Sequence, residues 1–238
     1  MRKKIIITGG TGRFGQILKK YKNKNSLFFP NKKELDILNY DKILSYLEKK
    51  KPDILMHLAG LSRPMSIHDK DIKKSIDLNI IGTANVTKAC EKKKVKLIYF
   101  STHYIYSGTK GNYKETDTIF PVNSYAWSKL GGEASVNLYK NSLILRLCVT
   151  EKPFVHKKAF ANVKTNFMFH EDVVPIIFKL LNCRGTINIG GKKQTIYNFV
   201  KKHNRQIKKA LAKKNQIPLN STLNLKKMEL SIKNSKLN

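Results

Sequence analysis

The chain predicts a doubly wound α/β fold on a parallel sheet, and three observations carry that expectation. Short apolar, β-branched runs alternate with amphipathic stretches of helical period through the first two-thirds of the sequence. A glycine-rich turn, Thr8-Gly-Gly-Thr-Gly-Arg-Phe-Gly15, follows the first such run directly and opens the first helical stretch. Tyr125 and Lys129 lie four residues apart, a spacing that puts a phenol and an ammonium on one face of a helix.

Lys4-Ile-Ile-Ile-Thr8 reads as a buried strand because β-branched side chains favour extended backbone. The glycine turn leads into a helix ending near Tyr21, and Leu27-Phe-Phe29 forms a second strand closed by Pro30. Asn39 is placed to cap a helix over 40–50, with Ile43, Leu44 and Leu47 on one face. A third strand is expected over 53–58 and a fourth over 95–101. Between them one long helix is expected over 69–93, with Ile72, Ile76, Ile80 and Val86 as its apolar stripe. A helix over 125–139 and a strand over 143–147 follow. The last third carries weaker signals: a loop over 151–166, a helix over 170–181, a strand over 186–189 and a helix over 195–203. From Asn204 onward the chain is Lys/Asn-rich with weak periodicity, and its final residues are expected to fray. No repeat or low-complexity linker separates independent domains. The expectation is one domain over 1–238, with a core over 1–147 and a reduced substrate-binding part and basic tail over 148–238.

Composition narrows the function classes. Of 238 residues, 41% are hydrophobic, enough for a packed core. No apolar run reaches membrane-spanning length, and Met1-Arg-Lys-Lys4 precedes too short an apolar run for an export signal. Cys90, Cys148 and Cys183 are far apart and form no metal-type cluster, which fits a reduced cytoplasmic protein. The formal charge of +31 is spread over scattered lysines. A nucleic-acid groove would instead show arginines interleaved with aromatics, so nucleic acid is not favoured as a partner. The field still attracts anionic small molecules.

The chemistry-bearing residues fall on these elements. Glycines 9, 12 and 15 permit a tight turn and close approach of backbone to a pyrophosphate, and the helix N-terminus adds N–H groups and a positive dipole. A phenol titrates near 10, too high for ready proton exchange at neutral pH, and a nearby ammonium lowers that value. Tyr125 with Lys129 is therefore a general acid/base device, and the strand-end Ser101-Thr102 supplies hydroxyls beside it in the motif set.

With these motifs in this order, the chain resembles the extended short-chain dehydrogenase/reductase family, and within it the dTDP-4-dehydrorhamnose reductases and their sugar-nucleotide relatives. The pieces that match are the Gly9/Gly12/Gly15 turn, Lys33-Glu-Leu-Asp-Ile37, Pro52-Asp-Ile-Leu-Met-His-Leu-Ala-Gly60, Leu78-Asn-Ile-Ile-Gly-Thr83, Ser101-Thr-His-Tyr-Ile-Tyr-Ser-Gly108, Tyr125 with Lys129 and Gly132-Glu133, and Leu145-Arg146. Asp172-Val-Val174 and Thr186-Ile-Asn-Ile-Gly190 match more loosely. The resemblance implies a Rossmann-like fold and NAD(P)H-linked reduction of a 4-keto sugar nucleotide. It implies Tyr125 as proton donor, Lys129 on the nicotinamide ribose and next to Tyr125, Thr102 on the reacting carbonyl, and Asn79 on a proton-relay water. The cofactor would rest on Gly9, Thr11, Gly12, Arg13, Phe14 and Gly15, with Asp36 and Ile37 bordering adenine and Ala59, Gly60 and Leu61 beneath a ribose.

Lys32 and Lys33, after the second strand, favour NADP(H) by charge, while Glu34 and Asp36 leave NAD(H) open. The chain departs from the family at His103, where an Asp is usual, and at Cys148-Val-Thr-Glu-Lys-Pro153, which replaces an aromatic-Val-Tyr-Gly segment; the substrate-binding insertion after it is much shortened. His103 and Arg146 are taken as substrate contacts. An epimerase or dehydratase, a non-catalytic dinucleotide-binding regulatory subunit and a homodimer all stay open; no membrane or metal is expected.

Overall fold

The structure is a computed structural model and describes residues 2–213 and 216–235; the expected fraying of the last three residues lies outside that range. Local signals set the first elements. The run of three isoleucines makes β1 (Lys4–Thr8), fully buried over Ile5–Ile7. The glycine turn leads into α1 (Arg13–Lys20), followed by β2 (Ser26–Phe28). Asn39 starts α2 (Tyr40–Lys50): its side-chain oxygen accepts from the Lys42 N–H at 2.9 Å, a cap worth about 1 kcal/mol. β3 (Ile54–His57) follows.

The stretch expected as one helix is broken. A short α3 (Ile67–Lys70) ends at Asp71, whose side chain accepts the Lys74 N–H and so caps a new helix that starts at Ile72. α4 (Ile72–Ile76) then runs through a π-helical turn (Asp77–Ile81) into α5 (Gly82–Lys92). The wider turn shifts the helix face by about 100°, one residue's rotation. The apolar stripe expected from Ile72 to Val86 is therefore out of phase. Ile72 is 62% exposed and Ile76 41%, while Val86, Ala89 and Cys90 are fully buried.

β4 (Lys96–Thr102), α6 (Ser124–Asn137) and β5 (Ser142–Leu147) complete the regular part. In the last third lie β6 (Val149–Thr150), β7 (Lys158–Phe160), β8 (Lys164–Thr165), β9 (Met168–Phe169), α7 (His170–Lys179), β10 (Gly185–Ile189), β11 (Gln194–Thr195), α8 (Ile196–Lys201), β12 (Lys208–Ala210) and α9 (Lys226–Asn234). The segment expected as loop thus holds β7 and β8, and the segment expected to lack periodicity holds β12 and α9.

The parallel sheet has the order β10-β5-β4-β3-β1-β2, with helical crossovers, as a doubly wound Rossmann-like fold requires. The chain divides into two compact units, Met1–Ser101 with Trp127–Leu145, and Thr102–Ala126 with Arg146–Asn238. In the first, Ile6, Leu35, Ile37, Ile43, Leu47, Leu55, Val86, Leu97, Val136 and Ile144 form the core. α6 approaches the π turn closely at Gly132, where a Cβ would collide with the Asn79 carbonyl and the Tyr99 hydroxyl. In the second unit the Tyr106 ring stacks on Tyr113 at 4.6 Å, and β12 pairs with β7 in parallel, β11 with β8 antiparallel.

The phase shift has a measurable consequence. Ile72→Ser should change stability by less than about 0.5 kcal/mol in urea unfolding. Val86→Ala, in the same helical stretch, should cost about 2 kcal/mol through lost burial and a cavity. Equal costs would mean that the two faces are not reversed.

Candidate active site

The first unit gathers its polar groups at the carboxyl ends of β1, β3 and β4, the edge where α/β sheets bind ligands. Gly9 has a φ of +71° and its Cα packs on the backbone of Ala59, so a side chain is excluded there twice over. A Cβ on Gly15 would stand 2.6 Å from the Gly9 carbonyl, so that glycine lets α1 close against the turn. Gly12 is different. It is exposed, it has ordinary extended backbone (φ −73°, ψ 169°), and a Cβ on it would meet only the Gly9 oxygen, at 3.1 Å. The backbone angle does not demand glycine at 12, and a side chain there would press on the Gly9 carbonyl, which the turn would have to relieve by a small shift.

Of the other residues of the turn, Thr11 and Arg13 are exposed, and an Arg13 N–H reaches the Ser62 hydroxyl at 3.4 Å. Phe14 packs edge-on against Phe100, 5.5 Å between ring centres. Lys32 and Lys33 are exposed beyond β2, Lys32 lying 3.8 Å from the Asp36 carboxylate. Asp36 is half-buried and accepts the Leu38 N–H. Ile37, expected at the adenine, instead belongs to the core: it is 5% exposed and packs on Gly82.

Asn79 sits in the π turn, buried, and its side chain is hydrogen-bonded through both its oxygen and its nitrogen. Its oxygen accepts the Leu61 N–H at 2.7 Å, and its amide donates to the Leu61 carbonyl at 2.9 Å and the Ser128 hydroxyl at 2.8 Å. Here the side chain fixes the segment Ala59–Leu61, and the second lone pair of its oxygen leaves it able to accept from a water as well. That segment leaves β3 half-buried at Ala59 and Leu61 and exposed at Gly60.

A hydrogen-bond chain that sequence reasoning missed runs beneath it. Thr83 Oγ1 donates its only proton to the Asn79 carbonyl at 2.8 Å, so toward His57 Nε2, 3.1 Å away, it acts as acceptor. His57 must then carry its proton on Nε2 and accept on Nδ1 from the Thr8 hydroxyl, at 2.8 Å. Thr8 Oγ1 in turn accepts the Ala59 N–H at 3.3 Å. With this tautomer each link has one donor and one acceptor, and the chain joins the end of β1, the segment leaving β3 and the π turn. Burial, with the charge of Lys129 adding to it, pushes the His57 pKa down to about 3. The available signal was a single polar residue in the apolar run Ile54–His57.

Lys129, on α6, is half-buried. Its ammonium lies 4.2 Å from the centre of the Tyr99 ring, and its carbonyl accepts the Tyr99 hydroxyl at 3.1 Å. Burial draws its pKa from 10.5 down to about 7, against the opposing pull of Glu133. α6 also carries Tyr125, one turn earlier.

The second unit holds the remaining site residues. Thr102 is buried and caps the 3-10 turn His103–Ile105, accepting the Tyr104 N–H at 3.2 Å. The Tyr125 ring stands edge-on to Tyr104, centroids 6.3 Å apart. His103 and Arg146, expected to touch substrate, are internal. His103 is 4% exposed, with Nδ1 3.0 Å from the Leu147 carbonyl and its ring between Tyr104 and Phe167. Arg146, also 4% exposed, lies over the Tyr106 ring and donates to the Tyr106 hydroxyl at 2.7 Å and the Glu115 carbonyl at 2.9 Å. Among the described residues no cluster of His, Cys, Asp and Glu could hold a metal ion, and no helix is long and apolar enough to cross a membrane.

The fold and the glycine turn define a Rossmann-like protein of the short-chain dehydrogenase/reductase class. More narrowly, residues 2–170 match the RmlD substrate binding domain family, and the chain belongs to it. It is 30% identical over 148 residues to a dTDP-4-dehydrorhamnose reductase of Aggregatibacter actinomycetemcomitans, covering 60% of this chain and 50% of that protein. It is 28% identical over 143 residues to methionine adenosyltransferase 2 subunit beta of Xenopus laevis, covering 56% and 42%. The chain thus spans about half the length of the curated relatives it matches. Among solved structures it is similar to dTDP-4-dehydrorhamnose reductase from Bacillus anthracis in complex with NADP, with a TM-score of 0.84 at 23% identity over 97% of this chain and 92% of that one. It is also similar to the Bordetella bronchiseptica enzyme WbmG in complex with NAD and UDP, at TM-score 0.77 and 20% identity, covering 98% and 89%. At these identities the likeness is one of fold.

The buried imidazole makes stability depend on pH. His57 titrates at 6.5 when unfolded and about 3 when folded, so its contribution is complete above pH 6.5 and is lost as pH falls toward 3. His103, pushed down to about 4 by burial, acts in the same direction. His57→Gln keeps an amide able to accept from Thr8 and donate to Thr83, and should flatten part of this dependence. Urea midpoints measured across that range test it; a slope equal to wild type would contradict the assignment.

Proposed function

We propose that the protein is an NAD(P)H-dependent reductase of a 4-keto sugar nucleotide. The observation that carries this reading is Gly12. It is an exposed glycine in ordinary extended backbone, at the N-terminus of α1, where backbone N–H groups and the helix dipole favour a pyrophosphate. The residues fit a dinucleotide: the turn 9–15 would hold its phosphates, Lys32, Lys33 and Asp36 would lie toward its adenosine ribose, and Ala59–Leu61 and Lys129 toward the rest. A reduced nicotinamide supplies the hydride. Tyr125 would deliver the proton to the substrate oxygen, Lys129 would hold the phenol's pKa down and bind a ribose hydroxyl, and Thr102 would donate a hydrogen bond to the carbonyl. The names of the Aggregatibacter relative and the Bacillus anthracis structure support this substrate class. The exposed lysines favour NADP(H) by charge, with NAD(H) as the alternative.

A second reading is a dinucleotide-binding subunit without catalysis of its own. It is favoured by the similarity to proteins named methionine adenosyltransferase 2 subunit beta, at identities close to that of the reductase relative.

Two kinds of glycine predict two outcomes. Gly15→Ala should lower the melting temperature of the free protein, because its Cβ meets backbone. Gly12→Val should lower that temperature less than Gly15→Ala does and remove the rise that NADPH produces in wild type by linkage. A variant at 12 that is stabilised as well as wild type would displace the cofactor from this turn.

Turnover is tested with a panel of 4-keto sugar nucleotides and NADPH absorbance. Tyr125→Phe should cost roughly 100- to 10,000-fold in rate with cofactor affinity retained. Thr102→Val should lower turnover with little effect on the cofactor, and Lys129→Met should impair both. Tight cofactor binding with no turnover of any panel member would favour the subunit reading. A near-full rate for Tyr125→Phe would overturn the mechanism.

A further inference from the structure

Glu133 is a buried carboxylate that nothing above has used. It is 4% exposed and lies four residues after Lys129 on α6, so the two side chains share one face of the helix. Opposite them runs β4, where Tyr99 and Ser101 are two residues apart and therefore point to the same face. The spacings match: four helical residues rise about 6 Å and two strand residues about 6.6 Å. Lys129 accordingly meets Tyr99, with its ammonium over the ring, and Glu133 meets Ser101, whose hydroxyl donates to the carboxylate at 2.5 Å. A charged group that far from water needs partners, and Ser101 supplies one directly.

We propose that Glu133, anchored by Ser101, is the counter-charge that keeps Lys129 protonated, and so a positioning residue for the site. The other groups around Lys129 cannot fill that role. An imidazole is neutral or cationic and offers no negative charge, which rules out His57 and His68; burial and Lys129 lower the pKa of both, with Asp69 opposing at His68, and Tyr99 offers its ring and hydroxyl. Tyr125, one turn earlier on α6, is the group the ammonium is proposed to serve. Glu133 is the charge that opposes the downward pull of burial on Lys129, leaving it near 7. The ammonium is then lost or gained across neutral pH, and the charge state of the site becomes responsive to it. The consequence for turnover rests on the reductase reading; the charge state of Lys129 does not.

The test is NMR of the full chain carrying 13Cε-lysine, with the Lys129 resonance assigned by its absence in Lys129→Met. Wild type should show one lysine titrating about three units below the others. In Glu133→Gln, which keeps the shape and an acceptor for Ser101, that midpoint should fall by about one unit or more, and Glu133→Asp should restore it. An unchanged or raised midpoint in Glu133→Gln overturns the proposal. Should that variant fail to fold, the double variant Ser101→Ala/Glu133→Met, which removes both partners of the buried hydrogen bond together, is read in the same way. Its Lys129 midpoint should also fall, and an unchanged or raised one overturns the proposal. A shifted Lys129 midpoint in a protein that turns over no sugar nucleotide sustains the counter-charge and removes the reductase reading. Turnover with an unshifted midpoint does the reverse.

Discussion

A single neutral imidazole ties together the strand ends of the first unit. Through His57 the end of β1, the segment leaving β3 and the π turn are joined by hydrogen bonds whose direction is fixed at every link. Such a chain has no slack. Thr83 has one proton to give and gives it to the Asn79 carbonyl, so the imidazole has one usable tautomer. Orphaning any buried member would cost about 1–3 kcal/mol. The π turn is the structural counterpart of this arrangement. It is the part of the helical stretch where Asn79 turns inward far enough to clamp Leu61 on both its backbone groups. The exposure of Ile72 and Ile76 follows from the same turn, since the helix face before it is rotated relative to the face after it. A site feature and a surface feature thus share one cause.

The glycine turn shows how one motif mixes unrelated reasons. Gly9 and Gly15 are required by the protein itself, one by its backbone angle and the approach of Ala59, the other by the closeness of α1 to the turn. Gly12 has an ordinary backbone angle, and a side chain on it would meet the Gly9 carbonyl less closely than one on Gly15 would meet the turn. A pattern of three glycines carries no mark that separates these roles, and only the space around each Cα does. The separation matters for any experiment on the turn, because a variant at 9 or 15 reports on folding before it reports on a ligand.

Much of the fold was legible because its signals are local. The three isoleucines of β1 and the Asn39 cap of α2 mark those elements to the residue, since β-branching and capping act within a few positions. The break at Asp71 and the π turn left no such mark: a π turn is a hydrogen-bond choice made by packing, not by composition. β6 to β9 are two or three residues long, too short for any period, and α9 buries little beyond Met228. In the site, the glycines, Tyr125 and Lys129 could be read from spacing. Ile37, His103 and Arg146 could not, because their fates depend on tertiary partners such as Gly82, Leu147 and Tyr106. Ser101 and Glu133 are 32 residues apart, and nothing in either neighbourhood announces the bond between them.

The formal charge of +31 bears differently on the surface and on the site. Exposed lysines interact through solvent, where a separation beyond about 8 Å is screened at physiological salt. Their summed field can steer an anion toward the molecule, but it says little about the protonation of a particular half-buried ammonium. For Lys129 the deciding quantities are local: the desolvation imposed by α6 and β4, and the one carboxylate on its own helix face. With 47 basic residues against 16 acidic ones, a buried acidic residue in the right place is scarce, and its effect is not diluted by others nearby. The electrostatics around Lys129 therefore turn first on its burial and then on the carboxylate of Glu133, rather than on the lysines that dominate the composition.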